Sequence, residues 1–212
     1  MLLFLHGFLG APSDWDPVIS HLPSHSCRAL ELPGHGSTPF TPHFLDTIPR
    51  FDAPIHLIGY SMGGRLAMHY ATRFPERVAS LTLASCHTGL TSEEERNKRR
   101  EQDQFWALEL RRSNLDEFLK RWYDQPIFGH FQPDLTMRRK HNPEALAQCL
   151  LHYSLANQPV FSPREALVIV GERDLKYRTL FPNAKIIPHA AHMVHLENPS
   201  AFATLIQQRI LL

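Results

Sequence analysis

Three cysteines in 212 residues, Cys27, Cys86 and Cys149, are too few and too widely spaced for a disulfide framework or a zinc cluster. Thiols used so sparingly fit a reducing, cytoplasmic compartment. A surplus of one charge is also absent: 22 Lys plus Arg face 21 Asp plus Glu, a formal net charge of +1. Nothing in that balance points to a nucleic acid partner. No apolar run approaches the roughly 20 residues of a membrane-spanning helix, so no membrane partner is expected. The opening apolar stretch stops at Leu5 with no basic residues ahead of it, so it is not expected to act as a signal peptide. Internal repeats, low-complexity tracts and Gly/Ser linkers are missing too. With 43% apolar and 20% charged residues the chain is neither disordered nor fibrous. Its length suits one domain, residues 1–212, with a sizeable core. Histidine, by contrast, is abundant: fourteen are present, of which the motifs place only one or two in a mechanism.

Short apolar runs alternate with longer amphipathic stretches. Leu2 to Leu5 ends at His6-Gly7, Cys27 to Leu32 at Pro33-Gly34, and Ile55 to Ile58 at Gly59. Val78 to Ala84, Ala166 to Val170 and Lys185 to Ile187 complete a set of six. Continuous apolar runs closed by Gly or Pro and followed by helical patterns read as buried parallel strands. Asn142-Pro143 and Asn198-Pro199 are helix starts, an N-cap with Pro in the first turn. The expectation is an α/β fold with a mostly parallel, doubly wound sheet whose ligand sits at the carboxyl ends of the strands. From about 86 to about 162 no strand pattern occurs. Ser92-x-x-Glu95 opens a helix to about Arg112, Asn114-x-x-Glu117 one from Leu115 to Tyr123, and Asn142 a third to about Leu155. This reads as a helical lid inserted before the fifth strand.

Gly59-Tyr60-Ser61-Met62-Gly63 matches G-x-S-x-G, between a strand and a helix-forming run from Arg65 to Arg73. That context is the nucleophile elbow, in which a serine on a tight strand-to-helix turn presents its hydroxyl at the sheet edge. A nucleophilic serine needs a base and a group to orient that base. Asp174 follows the fifth strand, with Glu172 as its competitor. His192 lies mid-loop after the sixth strand, with His189 and His195 as alternatives. The order Ser61, Asp174, His192 is that of α/β-hydrolases. An oxyanion hole needs two backbone N–H groups, assigned here to Met62 and to Phe8 in the turn after the first strand. His35 in the second turn reads as structural.

Five motifs together carry a resemblance: H-G-F-x-G at 6–10, L-P-G-H-G at 32–36, G-Y-S-x-G-G-R at 59–65, G-E-R-D-x-K-Y at 171–177 and H-x-x-H-x-E-N-P at 192–199. With the helical region from Glu95 to Pro159, the chain resembles the 2-succinyl-6-hydroxy-2,4-cyclohexadiene-1-carboxylate synthases of menaquinone biosynthesis, members of the α/β-hydrolase superfamily. The resemblance implies an elimination of pyruvate from a small-molecule tricarboxylate, with the triad serine acting as a base and no cofactor or metal. It also implies substrate binding by Tyr60, Arg65, Arg99, Trp122 and Arg138. Arg100 and Arg139 are the neighbours that a one-residue slip would select, and Lys176 and Tyr177 are further candidates for the pocket wall. Two departures stand out. The antiparallel strands that usually precede the first parallel strand have no counterpart ahead of Leu2, and Ala191 replaces the glycine usual before the histidine. The same triad also suits a carboxylesterase or acyl-carrier-protein methyl esterase. A non-catalytic module docking through the lid is the third reading.

Overall fold

The computed structural model describes residues 1–129, 131–162 and 165–211. Six strands, β1 (Leu2–Leu5), β2 (Cys27–Leu30), β3 (Ile55–Tyr60), β4 (Val78–Ala84), β5 (Leu167–Gly171) and β6 (Lys185–Ile187), form one sheet in the order β2-β1-β3-β4-β5-β6. Every pairing is parallel. The helices are α1 (Asp16–Ile19), α2 (Met62–Arg73), α3 (Glu93–Arg112), α4 (Leu115–Tyr123), α5 (Pro143–His152), α6 (Leu175–Leu180), α7 (Val194–Glu197) and α8 (Pro199–Ile210). No helix among the described residues is long and apolar enough to cross a membrane.

Burial on both faces explains why the central strands β1 and β3 read as continuous apolar runs rather than alternating ones. In β1, Leu2 and Phe4 pack with Trp15, Val18, Phe202 and Ile206 on one face. Leu3 and Leu5 pack with Leu66, Ala67 and Tyr70 of α2 on the other. The chain runs outward from β1 to β2 and then returns to place β3 on the opposite side of β1. The turns after β1 and β3 therefore flank the switch point, where a parallel sheet opens a crevice for ligands.

The expected strands lie within two residues of the observed ones. Strand β2 ends at Leu30 rather than Leu32, because the Leu32 N–H turns away from the sheet to a buried histidine nitrogen, His6 Nε2. Strand β3 runs on to Tyr60, paired with Ala84. Between β4 and β5 the described residues hold α3, α4, α5 and short 3-10 turns, and no strand. The Ser92–Glu95 capping box is present, with the Ser92 hydroxyl accepting the Glu95 N–H. Asn114 instead caps α4 through the Asp116 N–H. Helix α5 stops at His152, short of Leu155, and Ser154 caps a separate 3-10 turn over Leu155–Asn157.

Candidate active site

Ser61 sits between β3 and α2 with φ 51° and ψ −112°, a left-handed backbone that a non-glycine residue adopts only under constraint. The constraint comes from its neighbours. The Ser61 N–H donates to Ala84 O at 2.9 Å, and its carbonyl accepts the Arg65 N–H at 3.1 Å. A Cβ on Gly59 would lie 2.5 Å from Gly63 O, and one on Gly63 would lie 2.3 Å from His6 O. The two elbow glycines are thus required by close backbone approach, and α2 begins immediately at Met62, three residues before the expected start.

The turns after β5 and β6 bring the other two groups to this point. His192 Nδ1 lies 2.8 Å from Asp174 Oδ2, and His192 Nε2 lies 3.4 Å from Ser61 Oγ. A carboxylate only accepts, so Nδ1 carries the proton and Nε2 is free to accept from the serine hydroxyl. Asp174 also caps α6, its Oδ1 accepting the Tyr177 N–H at 3.3 Å. Tyr60, Phe128 and Tyr177 pack round the His192 ring at centroid distances of 5.3, 5.7 and 5.2 Å. The competitors sit elsewhere. Glu172 is exposed and accepts the His189 N–H at 2.8 Å. His195 is buried between Trp15 and Tyr60, 4.5 and 4.4 Å from their rings, and burial pushes its pKa down to about 3. Glu197, which no catalytic reading singled out, accepts the N–H groups of Ala191 and Met193 at 2.8 and 3.0 Å. It grips the backbone on both sides of His192, and its place in the H-x-x-H-x-E-N-P motif was the signal for it.

These groups open onto one cavity, whose wall includes Phe8, Tyr60, Ser61, Met62, Arg65, Arg99, Trp122, Lys176, Tyr177 and His192. The amide N–H groups of Phe8 and Met62 donate no hydrogen bond among the described residues. Two such free donors are what a developing oxyanion would engage. Arg65 donates through Nη1 to Tyr153 O at 2.6 Å and has no carboxylate partner among the described residues. Burial, and after it the charge on Arg99, lowers the Arg65 pKa to about 10, so the guanidinium stays charged at neutral pH. Arg99 is held by Asp103 through Nε alone, at 2.9 and 2.8 Å, leaving its Nη groups unbonded among the described residues. Among the described residues, Lys176 is the third cation of the wall, and Asp103 is the one carboxylate of that wall. Trp122 stacks on Phe118 and meets Phe8 and Trp106 edge-on at 5.0 and 5.2 Å, so it joins the helical segment to the turn after β1.

Arg138 corrects the expectation. It does not line the cavity. Its guanidinium is buried, donating to Asp14 Oδ2 at 2.9 Å, Tyr123 Oη at 2.8 Å and Asp134 O at 2.8 Å. A buried acid waiting opposite captured it, and each of its three guanidinium nitrogens bonds to protein away from the cavity wall. The adjacent candidates do not take its place: Arg139 pairs with Asp116 and Arg100 with Glu93, both outside the cavity wall.

The alpha/beta hydrolase family profile matches residues 2–205. A 2-succinyl-6-hydroxy-2,4-cyclohexadiene-1-carboxylate synthase of Salmonella paratyphi C is 36% identical, over 98% of this chain and 92% of its own length. The enzyme of the same name from Enterobacter sp. strain 638 is 34% identical, over 98% of this chain and 90% of its own. Among solved structures, MenH from S. aureus superposes with a TM-score of 0.87 at 26% identity, covering 99% of this chain and 92% of that one. A thermophilic esterase from Thermogutta terrifontis, at 21% identity and a TM-score of 0.76, shares the fold. A match over almost the whole chain, to sequences carrying one name, shows that this chain belongs to the alpha/beta hydrolase family and, within it, to the 2-succinyl-6-hydroxy-2,4-cyclohexadiene-1-carboxylate synthases.

Proposed function

We propose that this chain eliminates pyruvate from 2-succinyl-5-enolpyruvyl-6-hydroxy-3-cyclohexene-1-carboxylate, giving 2-succinyl-6-hydroxy-2,4-cyclohexadiene-1-carboxylate. The observation that carries the reading is a serine–histidine–aspartate set facing a cavity whose wall, among the described residues, holds three cations and one carboxylate, the latter already bonded to Arg99. Such a wall suits a polyanion; a simple neutral ester has no use for it.

The steps follow from the geometry. His192 Nε2 takes the Ser61 hydroxyl proton, and Asp174 stabilises the imidazolium through Nδ1. The serine oxygen removes the ring proton α to the succinyl carbonyl. The resulting enolate oxygen is held by the N–H groups of Phe8 and Met62. As the second ring double bond forms, the ring C–O bond to the enolpyruvyl group breaks. That group leaves as the enolate of pyruvate and takes the proton back from the Ser61–His192 pair. No acyl intermediate is required. The 3.4 Å between Ser61 Oγ and His192 Nε2 is the loose spacing common before substrate binds.

Arg65, Arg99 and Lys176 take the substrate carboxylates, with Tyr60 and Trp122 as the flat walls of the pocket. The helical segment between β4 and β5 is read as a lid within a single domain, and three unpaired cysteines suit a cytoplasmic enzyme. The test mixes the purified protein with the enolpyruvyl substrate and follows pyruvate. Release by the wild type and none by Ser61→Ala, a loss on the order of 10⁴-fold or more, is expected. Turnover of p-nitrophenyl esters far above pyruvate release would instead select an ester hydrolase.

A further inference from the structure

The proposed reaction uses one histidine. Three others, His6, His35 and His141, are buried side by side beneath the turn that carries Phe8. Ring centroids are 4.9 Å apart between His6 and His35 and 5.2 Å between His35 and His141. They come from the end of β1, the turn after β2 and the helical segment, yet all bond to backbone. His6 Nδ1 lies 2.8 Å from Gly7 O, which only accepts, so that nitrogen donates; His6 Nε2 accepts the Leu32 N–H at 3.1 Å. His35 Nε2 accepts the Leu9 N–H at 3.1 Å, and its Nδ1 donates to Pro33 O at 3.2 Å. His141 Nδ1 accepts the Gly36 N–H at 2.8 Å, and its Nε2 donates to Leu9 O at 3.1 Å. Each ring is neutral and its tautomer is dictated by its partners.

The contacts fall on three consecutive peptide planes. His6 holds the plane of Gly7 and Phe8 by its carbonyl, His35 the plane of Phe8 and Leu9 by its N–H, and His141 the plane of Leu9 and Gly10 by its carbonyl. In a planar trans peptide the C=O and N–H point in opposite directions. His6 and the Gly10 N–H, at 3.0 Å, draw Gly7 O one way, so the Phe8 N–H faces the other. Leu9, next in line, has φ 64°, a left-handed conformation disfavoured for a leucine. It persists because both its N–H and its C=O are gripped. Arg138 secures the far end of the turn: Asp14 Oδ2 accepts from its Nη2 and from the Ala11 N–H at 3.1 Å.

We propose that His6, His35 and His141 are positioning residues that clamp three successive peptide planes and thereby aim the Phe8 N–H at the oxyanion. The proposal rests on the oxyanion role given to Phe8 above. Burial supports it by keeping the rings neutral: it lowers the His6 pKa to about 4 and also lowers those of His35 and His141. A protonated ring would set an N–H against a backbone N–H.

The test compares His35→Phe, which keeps a ring but loses the acceptor for the Leu9 N–H, with His35→Gln, which restores an acceptor. Each variant is assayed for pyruvate release and for covalent labelling of Ser61 by a fluorophosphonate, whose phosphonyl oxygen needs the same N–H pair whatever the natural substrate. The expected result for His35→Phe is a loss of about tenfold to a hundredfold in both kcat and labelling rate, with KM within about twofold. His35→Gln recovers most of it. Labelling of His35→Phe at the wild-type rate overturns the positioning role, as does a Gln variant as slow as the Phe variant. Slow labelling of His35→Phe beside a wild type that releases no pyruvate supports the positioning role and overturns the elimination instead. The ring ¹⁵N shifts of the unmodified protein provide a readout independent of variant folding. Nδ1–H for His6 and His35 and Nε2–H for His141 are expected at pH 7, and any other tautomer overturns the clamp.

Discussion

At the carboxyl edge of the sheet, the triad and the Phe8 turn leave from strand ends, whereas in the helical segment between β4 and β5 the candidate groups leave from helix faces and turns. Ser61 follows β3, Phe8 follows β1, Asp174 follows β5 and His192 follows β6. Their backbones are held by sheet pairing and by glycines that a Cβ would displace. In the helical segment, Arg99 and Arg138 look alike locally, yet one lines the cavity and the other is buried in an ion pair. Arg65 and Arg138 make the contrast sharpest. Both are largely removed from water, but Arg65 donates one hydrogen bond to a carbonyl, while Arg138 donates to a carboxylate, a phenol and a carbonyl. A buried cation without a counter-ion is costly and suits an anionic ligand. A buried cation whose three nitrogens each bond to protein is a structural tie.

That contrast can be broken experimentally. Arg138→Ala strands Asp14 as a buried unpaired carboxylate. It is expected to cost about 3–5 kcal/mol of stability, a fall in Tm of about 10 °C, measured by calorimetry. A Tm at the wild-type value together with a raised KM would return Arg138 to the substrate. Arg65→Ala should do the reverse. Its kcat/KM is expected to fall by an amount equivalent to about 2–4 kcal/mol of transition-state stabilisation, with Tm unchanged or raised. Wild-type kinetics in that variant would leave the cationic wall without a purpose.

The third measurement concerns the strut under the Phe8 turn. His6 is buried and neutral, with its pKa lowered from 6.5 to about 4 by burial. As pH falls, the unfolded chain binds this proton first. The stability contributed is fully present above about pH 6.5 and is lost as pH drops toward about 4, roughly 3 kcal/mol for this ring alone. Denaturant titrations at pH 7.5 and 4.5 should show the loss, with His35 and His141 adding to it in the same direction. An unfolding free energy flat across that window would show that the rings are accessible to protons in the folded state.

Much of the site was legible because its determinants are close together along the chain. An apolar run, two glycines and a helix-forming stretch are enough to specify an elbow at Ser61, and Asn or Ser caps mark where α3, α4 and α5 begin. The choice of Asp174 over Glu172 was less so. Both follow β5, and only the two-residue offset round the turn decides which carboxylate faces His192 and which faces solvent. The strut histidines were legible only as a surplus: His6 and His35 sit in motifs, but nothing near His141 shows that its ring reaches Leu9, 132 residues away.

By itself the amino-acid sequence determined the order of strands and helices, the turn that carries Ser61 and the set of residues able to act as base and acid, since each depends on backbone preferences spanning a few neighbours. Only the tertiary structure decided which cations remain free for a ligand. Arg138 meets Asp14 from 124 positions away, and Arg65 meets no acid among the described residues. The charge state and direction of a side chain are the same in both cases until folding brings, or fails to bring, a partner from a distant part of the chain.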